Sequence, residues 1–213
     1  MKRKGTVFLI IGLLLIAAGA ALAGYNFLTD AKAGAEGNKL RELLTQQIPT
    51  PIPALVELPK INEGDSDDVE YPDYLLDPNR DMPTVEIDGI PYIGMIAVPS
   101  QDIELPVIEG CTLANLKVAP CHFSGSVYLD NMVICAHNYN SHFGKLTGLR
   151  VGDIVTFTDV EGNRFTYTVL ELEIVYPNQQ DYMKTGDWDL TLFTCTWGGA
   201  SRVTVRCERV TTE

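Results

Sequence analysis

Residues 189–210 read DLTLFTCTWGGASRVTVRCERV, and this stretch decides how the chain folds. Residues 190–196 are dense in Thr, Leu and Phe, while residues 201–210 alternate Val with polar side chains. Both patterns suit strands rather than helices. The Trp197-Gly198-Gly199-Ala200 segment between them predicts a short turn and an antiparallel pair. Pairing across that turn carries Cys195 and Arg202 to the same end of a sheet. A cation beside a thiol lowers its pKa, or stabilises negative charge on whatever the thiol attacks. Such a pair needs a base, and His137 supplies one at the end of the apolar run Asn131-Met132-Val133-Ile134-Cys135-Ala136. The candidate trio is therefore Cys195 as nucleophile, with His137 and Arg202 as partners.

Outward from this stretch, residues 83–213 carry the signals of one folded domain. Asp88-Gly89 between Val85-Glu86-Ile87 and residues 90–96 is a strong hairpin signal. Further strands are predicted at 103–108, 126–129, 132–137, 153–159 and 164–176, with short helices at 113–117 and 143–149. About eight strands with only short helices indicate an all-β barrel or sandwich. Strand alternation puts Arg202, Thr204 and Arg206 on one face of the last strand and Val203, Val205 and Cys207 on the other. Val133, Cys135 and His137 likewise share a face.

The chain has 213 residues and a formal charge of -12, which excludes nucleic acid as a partner, because phosphate contacts need a basic surface. Five cysteines without a C-x-x-C spacing give no structural zinc site, and no metal or cofactor is called for. Lys2-Arg3-Lys4 precedes an uncharged run over 5–29, longer than the roughly 20 residues that cross a bilayer core. The basic cluster, 1–4, is expected to stay cytoplasmic and the chain after Asp30 to lie outside. A cleaved signal peptide is the rival, because Ala21-Leu22-Ala23 has an A-x-A arrangement, but its apolar core would be shorter, about 7–15 residues. Residues 30–82 then read as an extracellular tether: a short helix at 38–44, a Pro-punctuated extended piece at 49–53 and an acidic, disordered stretch at 63–70.

Each candidate has a plainer reading. A cysteine or histidine at a strand end is commonly structural, and an arginine on a last strand is commonly solvated. Cys135 and Cys207 read as small buried hydrophobes. Cys111, in a turn, and Cys121, in a loop, could pair or stay free. His122 and His142 read as surface or loop histidines.

Thr191-Leu192-Phe193-Thr194-Cys195 resembles the TLxTC signature of sortases, the cysteine transpeptidases of Gram-positive bacteria. Arg202-Val203-Thr204-Val205-Arg206 is similar to the family's last strand, whose first Arg is the catalytic one. Val133-Ile134-Cys135-Ala136-His137-Asn138 resembles the strand that ends in the catalytic His, and residues 119–126 the loop before it, where relatives often have Gly in place of Cys121. The likeness covers about 87–210. It implies an eight-stranded sortase-type β-barrel behind one N-terminal transmembrane helix and a linker. It also implies cleavage of an LPxTG-like sorting signal through a thioacyl enzyme, with transfer to an amine of a cell-wall precursor or a pilin Lys. The partners implied are surface proteins bearing that signal, at the outer face of the membrane. Substrate would lie in a groove floored by the strands of His137, Cys195 and Arg202 and flanked by 175–187, with Thr194, Ala136 and Trp197 as further contacts. Asp77-Pro78-Asn79 lacks the aromatic of a pilus-type lid and no apolar tail precedes Glu213. The His137-to-Cys195 spacing is too short for a haem-protein-anchoring type, so the pattern is closer to class D or class A than to class B or C. Tyr71 and Tyr74 could still draw the preceding segment over the thiol. Two rivals remain: a secreted cysteine peptidase that only hydrolyses, and a non-catalytic membrane-tethered binding domain.

Overall fold

A computed structural model describes residues 2–54 and 71–210. Its strands are β1 (Ile52–Pro53), β2 (Val85–Ile87), β3 (Ile90–Val98), β4 (Ile103–Ile108), β5 (Cys121–Ser124), β6 (Met132–Ala136), β7 (Ile154–Asp159), β8 (Asn163–Val175), β9 (Leu190–Cys195) and β10 (Arg202–Arg209). The helices are α1 (Lys2–Thr45) and the single turn α2 (Asp73–Leu76). Hydrogen bonding runs β8-β10-β9-β6-β5-β4-β3, and β7 pairs with both β3 and β8, closing eight strands into a barrel. Closure removes the open sheet edges that invite aggregation. Asp88 and Gly89 both have positive φ, 51° and 77°, the backbone a two-residue hairpin between β2 and β3 requires.

Alternation sorts the side chains into two cores. Ile134, Ala136, Leu190, Leu192, Val203 and Val205 fill the barrel with Phe157, Phe165 and Tyr167. The opposite face of β6 and its neighbours builds a second cluster outside the barrel, where Cys121, Cys135, Ile108 and Tyr92 lie under Leu40 and Leu44 of α1. Asp159 is buried where β7 turns into β8, and its carboxylate accepts from the Tyr128 hydroxyl at 3.0 Å and from Asn163 Nδ2 at 2.9 Å. A buried carboxylate with these partners holds the hairpin without an unmet polar group.

Three expectations are corrected. The flexible tether does not start at Asp30. The helix runs unbroken to Thr45, and its last turns dock on the barrel through Ala33, Leu40 and Leu44. Gly34, a poor helix former in isolation, lets the helix approach Ser141 closely, and Gly37 lies in ordinary contact with Leu105. The Pro-rich piece is extended as expected, yet it pairs in parallel with β8 at Asn163 and Arg164 as an edge strand. The acidic stretch at 63–70 lies outside the described residues. The expected strand at 126–129 is a 3-10 turn at Val127–Leu129, because the Ser126 hydroxyl accepts from the Tyr128 amide at 3.2 Å and Asp130 turns left-handed. Cys121, assigned to a loop, opens strand β5.

Candidate active site

Cys195 ends β9, and its Cα partner across the β9–β10 pair is Arg202, which opens β10. Directly opposed residues of an antiparallel pair put their side chains on one face, with Cβ atoms about 4.5–5.5 Å apart. On the other side β9 runs parallel to β6, where Ala136 partners Thr194, so His137 follows alongside Cys195. Ile134 and Ala136 point into the barrel while Cys135 points out, and that parity carries His137 outward beside Cys195 and Arg202. The sheet thus gathers all three predicted residues into one row, Arg202–Cys195–His137, across the outer rim.

The backbone around the row is pinned. Gly198 and Gly199 take φ of 86° and 75°, which lets residues 196–201 reverse the chain within a few residues. Arg202 Nη1 donates to the carbonyls of Gly199 at 3.2 Å and Ser201 at 3.0 Å, fixing the guanidinium over that turn. A guanidinium has five N–H donors, so two bonds from one nitrogen leave the rest of its fork for another acceptor. The His137 carbonyl accepts from the Phe143 amide at 3.1 Å, closing the loop beyond β6, and Asp30 of α1 accepts from the Ser141 hydroxyl at 2.7 Å in that loop. The His137 ring lies 4.9 Å from that of Tyr139. Partial burial and then the Lys117 cation lower the His137 pKa, against the opposing pull of Cys111. The ring is neutral near pH 7 and able to accept a proton. Cys195 is a free thiol, partly open to solvent.

A profile of the sortase domain matches residues 96–210. The chain belongs to the sortase family. It is 23% identical over 198 residues to sortase A of Bacillus anthracis, covering 90% of this chain and 88% of that one. Sortase A of Listeria monocytogenes is 30% identical over 109 residues, 48% of this chain and 49% of the relative. The crystal structure of sortase C1 from Streptococcus agalactiae superposes with a TM-score of 0.52 at 29% identity, over 60% of this chain and 72% of that chain. Sortases are cysteine transpeptidases, and membership supports that role for this chain at the level of the family.

Within this sortase barrel two of the expected substrate contacts are corrected. Thr194 and Ala136 are 2% and 5% exposed and face the barrel interior, where the Thr194 hydroxyl donates to the Ala136 carbonyl at 2.8 Å. They fasten β9 to β6 just below the row and are closed off from solvent. Trp197 is 92% exposed on the turn between Cys195 and Arg202. Tyr74 does not lie over the thiol. It stacks on Tyr128 at 5.1 Å, where β6 begins, and so plugs the barrel end opposite His137.

The sortase domain also holds residues to which sequence reasoning gave only a structural or surface reading. Arg206 is fully buried, donating to Glu173 at 2.7 Å, to the Thr191 hydroxyl at 3.0 Å and to the Tyr182 and Met183 carbonyls at 2.8 and 3.3 Å. It clamps the 3-10 segment Pro177–Met183 onto the sheet. His142, expected as a surface or loop histidine, lies in the loop after β6 but is fully buried, and burial pushes its pKa down to about 4. His122 is tied to Glu109 at 2.9 Å. Cys111 Sγ lies 2.9 Å from Cys135 Sγ. The signal in the sequence for these contacts was alternation, which put Cys135 on the face of His137 and Arg206 on the face of Arg202.

Proposed function

We propose that this sortase is a membrane-anchored transpeptidase whose Cys195, His137 and Arg202 carry the reaction. The observation that supports it is the shared row: Cα partnership of Cys195 with Arg202, and His137 beside them on the parallel strand. His137 takes the Cys195 proton as sulfur attacks the Thr carbonyl of an LPxTG-like sorting signal. Arg202 receives the oxyanion that forms, held in place by its bonds to Gly199 and Ser201. His137 then returns the proton to the departing Gly amine, leaving a thioester on Cys195. An amine of a cell-wall precursor, or a pilin Lys, attacks that thioester; its proton passes through His137 and the sulfur is released. The exposed indole of Trp197 serves as a lip for the incoming peptide. The pattern remains nearer class D or class A than class B or C.

Anchoring rests on α1. Its segment after residue 5 is apolar, with mean hydropathy 2.6 over its best window and none of that window buried by the barrel. Lys2, Arg3 and Lys4 hold that end in the cytoplasm and the barrel outside.

The test is to incubate the full chain in detergent with an LPxTG-type peptide and a glycine-based amine, following products by mass spectrometry. A ligated peptide and an acyl adduct on Cys195 support the reading. Hydrolysis alone would make the protein a peptidase, and an unchanged peptide would leave a tethered binding domain.

A further inference from the structure

Beside the catalytic row, the outer face carries a second group of thiols. Cys121 and Cys135 are Cα partners across β5 and β6, and both are buried. Cys111 hangs over them from the segment between β4 and β5; it is exposed, and its Sγ sits 2.9 Å from that of Cys135. Packing among Leu40, Leu44, Ile108 and Ala119 accounts for Cys121 and Cys135 as small hydrophobes. It does not account for a solvent-facing thiol resting on a buried one.

That arrangement is the one thiol–disulfide exchange needs, with an accessible sulfur to attack and a second within reach to resolve. We propose that Cys111 and Cys135 form a redox-active dithiol that exchanges with small-molecule disulfides and closes to a Cys111–Cys135 bond. The inference goes beyond the transpeptidase reading and does not depend on Cys195.

The chemistry balances with a disulfide RSSR as the named oxidant. The Cys111 thiolate attacks one sulfur of RSSR, forming a mixed disulfide and releasing RS⁻. Cys135 then gives up its proton, attacks the Cys111 sulfur and expels the second RS⁻. Two electrons pass to the reagent, and the products are one protein disulfide, two RS⁻ and one H⁺.

The neighbours favour each step. The neighbouring Cys121 and Cys135 thiols, with His137 nearby, lower the Cys111 pKa and so favour its thiolate, the attacking form. The Cys135 pKa is raised first by its hydrogen bond to that thiolate and then by burial. Capping Cys111 abolishes the first of these causes, which frees Cys135 to ionise at the moment it must attack. Cys135 is the resolving thiol because its sulfur is the one at 2.9 Å, whereas the Cys121 thiol donates to the Ala119 carbonyl at 3.4 Å. Closing the bond removes the Cys111 charge that raises the His137 pKa, and ties the Cys111 segment to the strand that His137 follows.

The test uses the full-length chain in detergent with Cys195→Ala, so that no reactive nucleophile competes. The protein is treated with oxidised glutathione, quenched in acid, alkylated with N-ethylmaleimide and digested with trypsin. Cleavage after Arg80, Lys117 and Lys145 puts Cys111 on one peptide and Cys121 with Cys135 on the next. The expected result is a cross-link between the two peptides that fragment ions place at Cys135. Adding Cys121→Ala leaves the cross-link to Cys135 in place, and adding Cys135→Ala replaces it with a stable glutathione adduct on Cys111. Assignment in the parent chain needs no further variant to fold. A lasting adduct on Cys111 with Cys135 still alkylated, a link to Cys121, or an untouched Cys111 would overturn the proposal.

Discussion

Two levels of the same outer face behave differently. The rim row, Arg202–Cys195–His137, is open to solvent in part, and its residues meet through strand register. One step down β10 lie Thr204, Phe193, Cys135 and Cys121, and a step further Arg206, Thr191 and Val133. There polar groups are spent on one another: Arg206 on Glu173 and Thr191, and Cys135 on Cys111. The same strands therefore supply reactive groups at the rim and fasteners below it. Solvent access and uncommitted donors separate the two, since residue type does not: each level has an arginine and a cysteine.

The largest expected effect breaks the upper level alone. Cys195→Ala should abolish ligation and the acyl adduct, with a melting temperature within a few degrees of the parent. A variant that still ligates would show that another thiol does the work. Arg206→Ala, four residues along the strand from Arg202, should do the reverse. Removing one partner of a buried ion pair costs about 3–5 kcal/mol, which thermal or denaturant unfolding would register. If stability hardly moved, Arg206 would not be the clamp its hydrogen bonds describe. Arg202→Lys comes next. An ammonium cannot reproduce the guanidinium fork, and losing a donor to an oxyanion costs about 100-fold in kcat. Undiminished kcat there would remove Arg202 from the chemistry.

The contrast between levels also marks what could be read from the chain beforehand. The rim was legible because a strand pair with a short Gly turn has one register, and register alone brings Cys195 to Arg202. Strand count narrowed the fold to a barrel or sandwich, the sortase-like motifs implied the barrel, and Asp88-Gly89 announced the first hairpin. The thiol cluster was hidden because Cys111 and Cys135 meet only once β4 and β5 run parallel and the segment between them crosses β6, a non-local fact of topology. Alternation placed Arg206 on the outer face correctly, yet its burial depends on Pro177–Met183 folding over that face. The short helix at 38–44 was expected, but its continuity with the apolar helix across Asp30 was missed, because Gly34 and Gly37 weaken local propensity and docking on the barrel compensates for that. Thr194 was misplaced for a simpler reason: adjacency to Cys195 in sequence means the opposite face in a strand.

The smallest expected effect joins the two levels. The lowered Cys111 pKa favours a thiolate near His137, and a charge there favours the imidazolium, opposing burial and Lys117. Cys111→Ala removes the favouring charge, so the His137 pKa should fall further below its ordinary value. The sign carries through to the pH profile of kcat/KM for ligation. The limb on which His137 must be neutral should move to lower pH, and ligation at pH 7.5 should stay within about twofold because the ring is already neutral there. Cys121→Ala, which leaves the Cys111–Cys135 contact in place, should move that limb less. A limb that stayed put or rose would show that Cys111 carries no charge toward His137, and the two levels would then act independently.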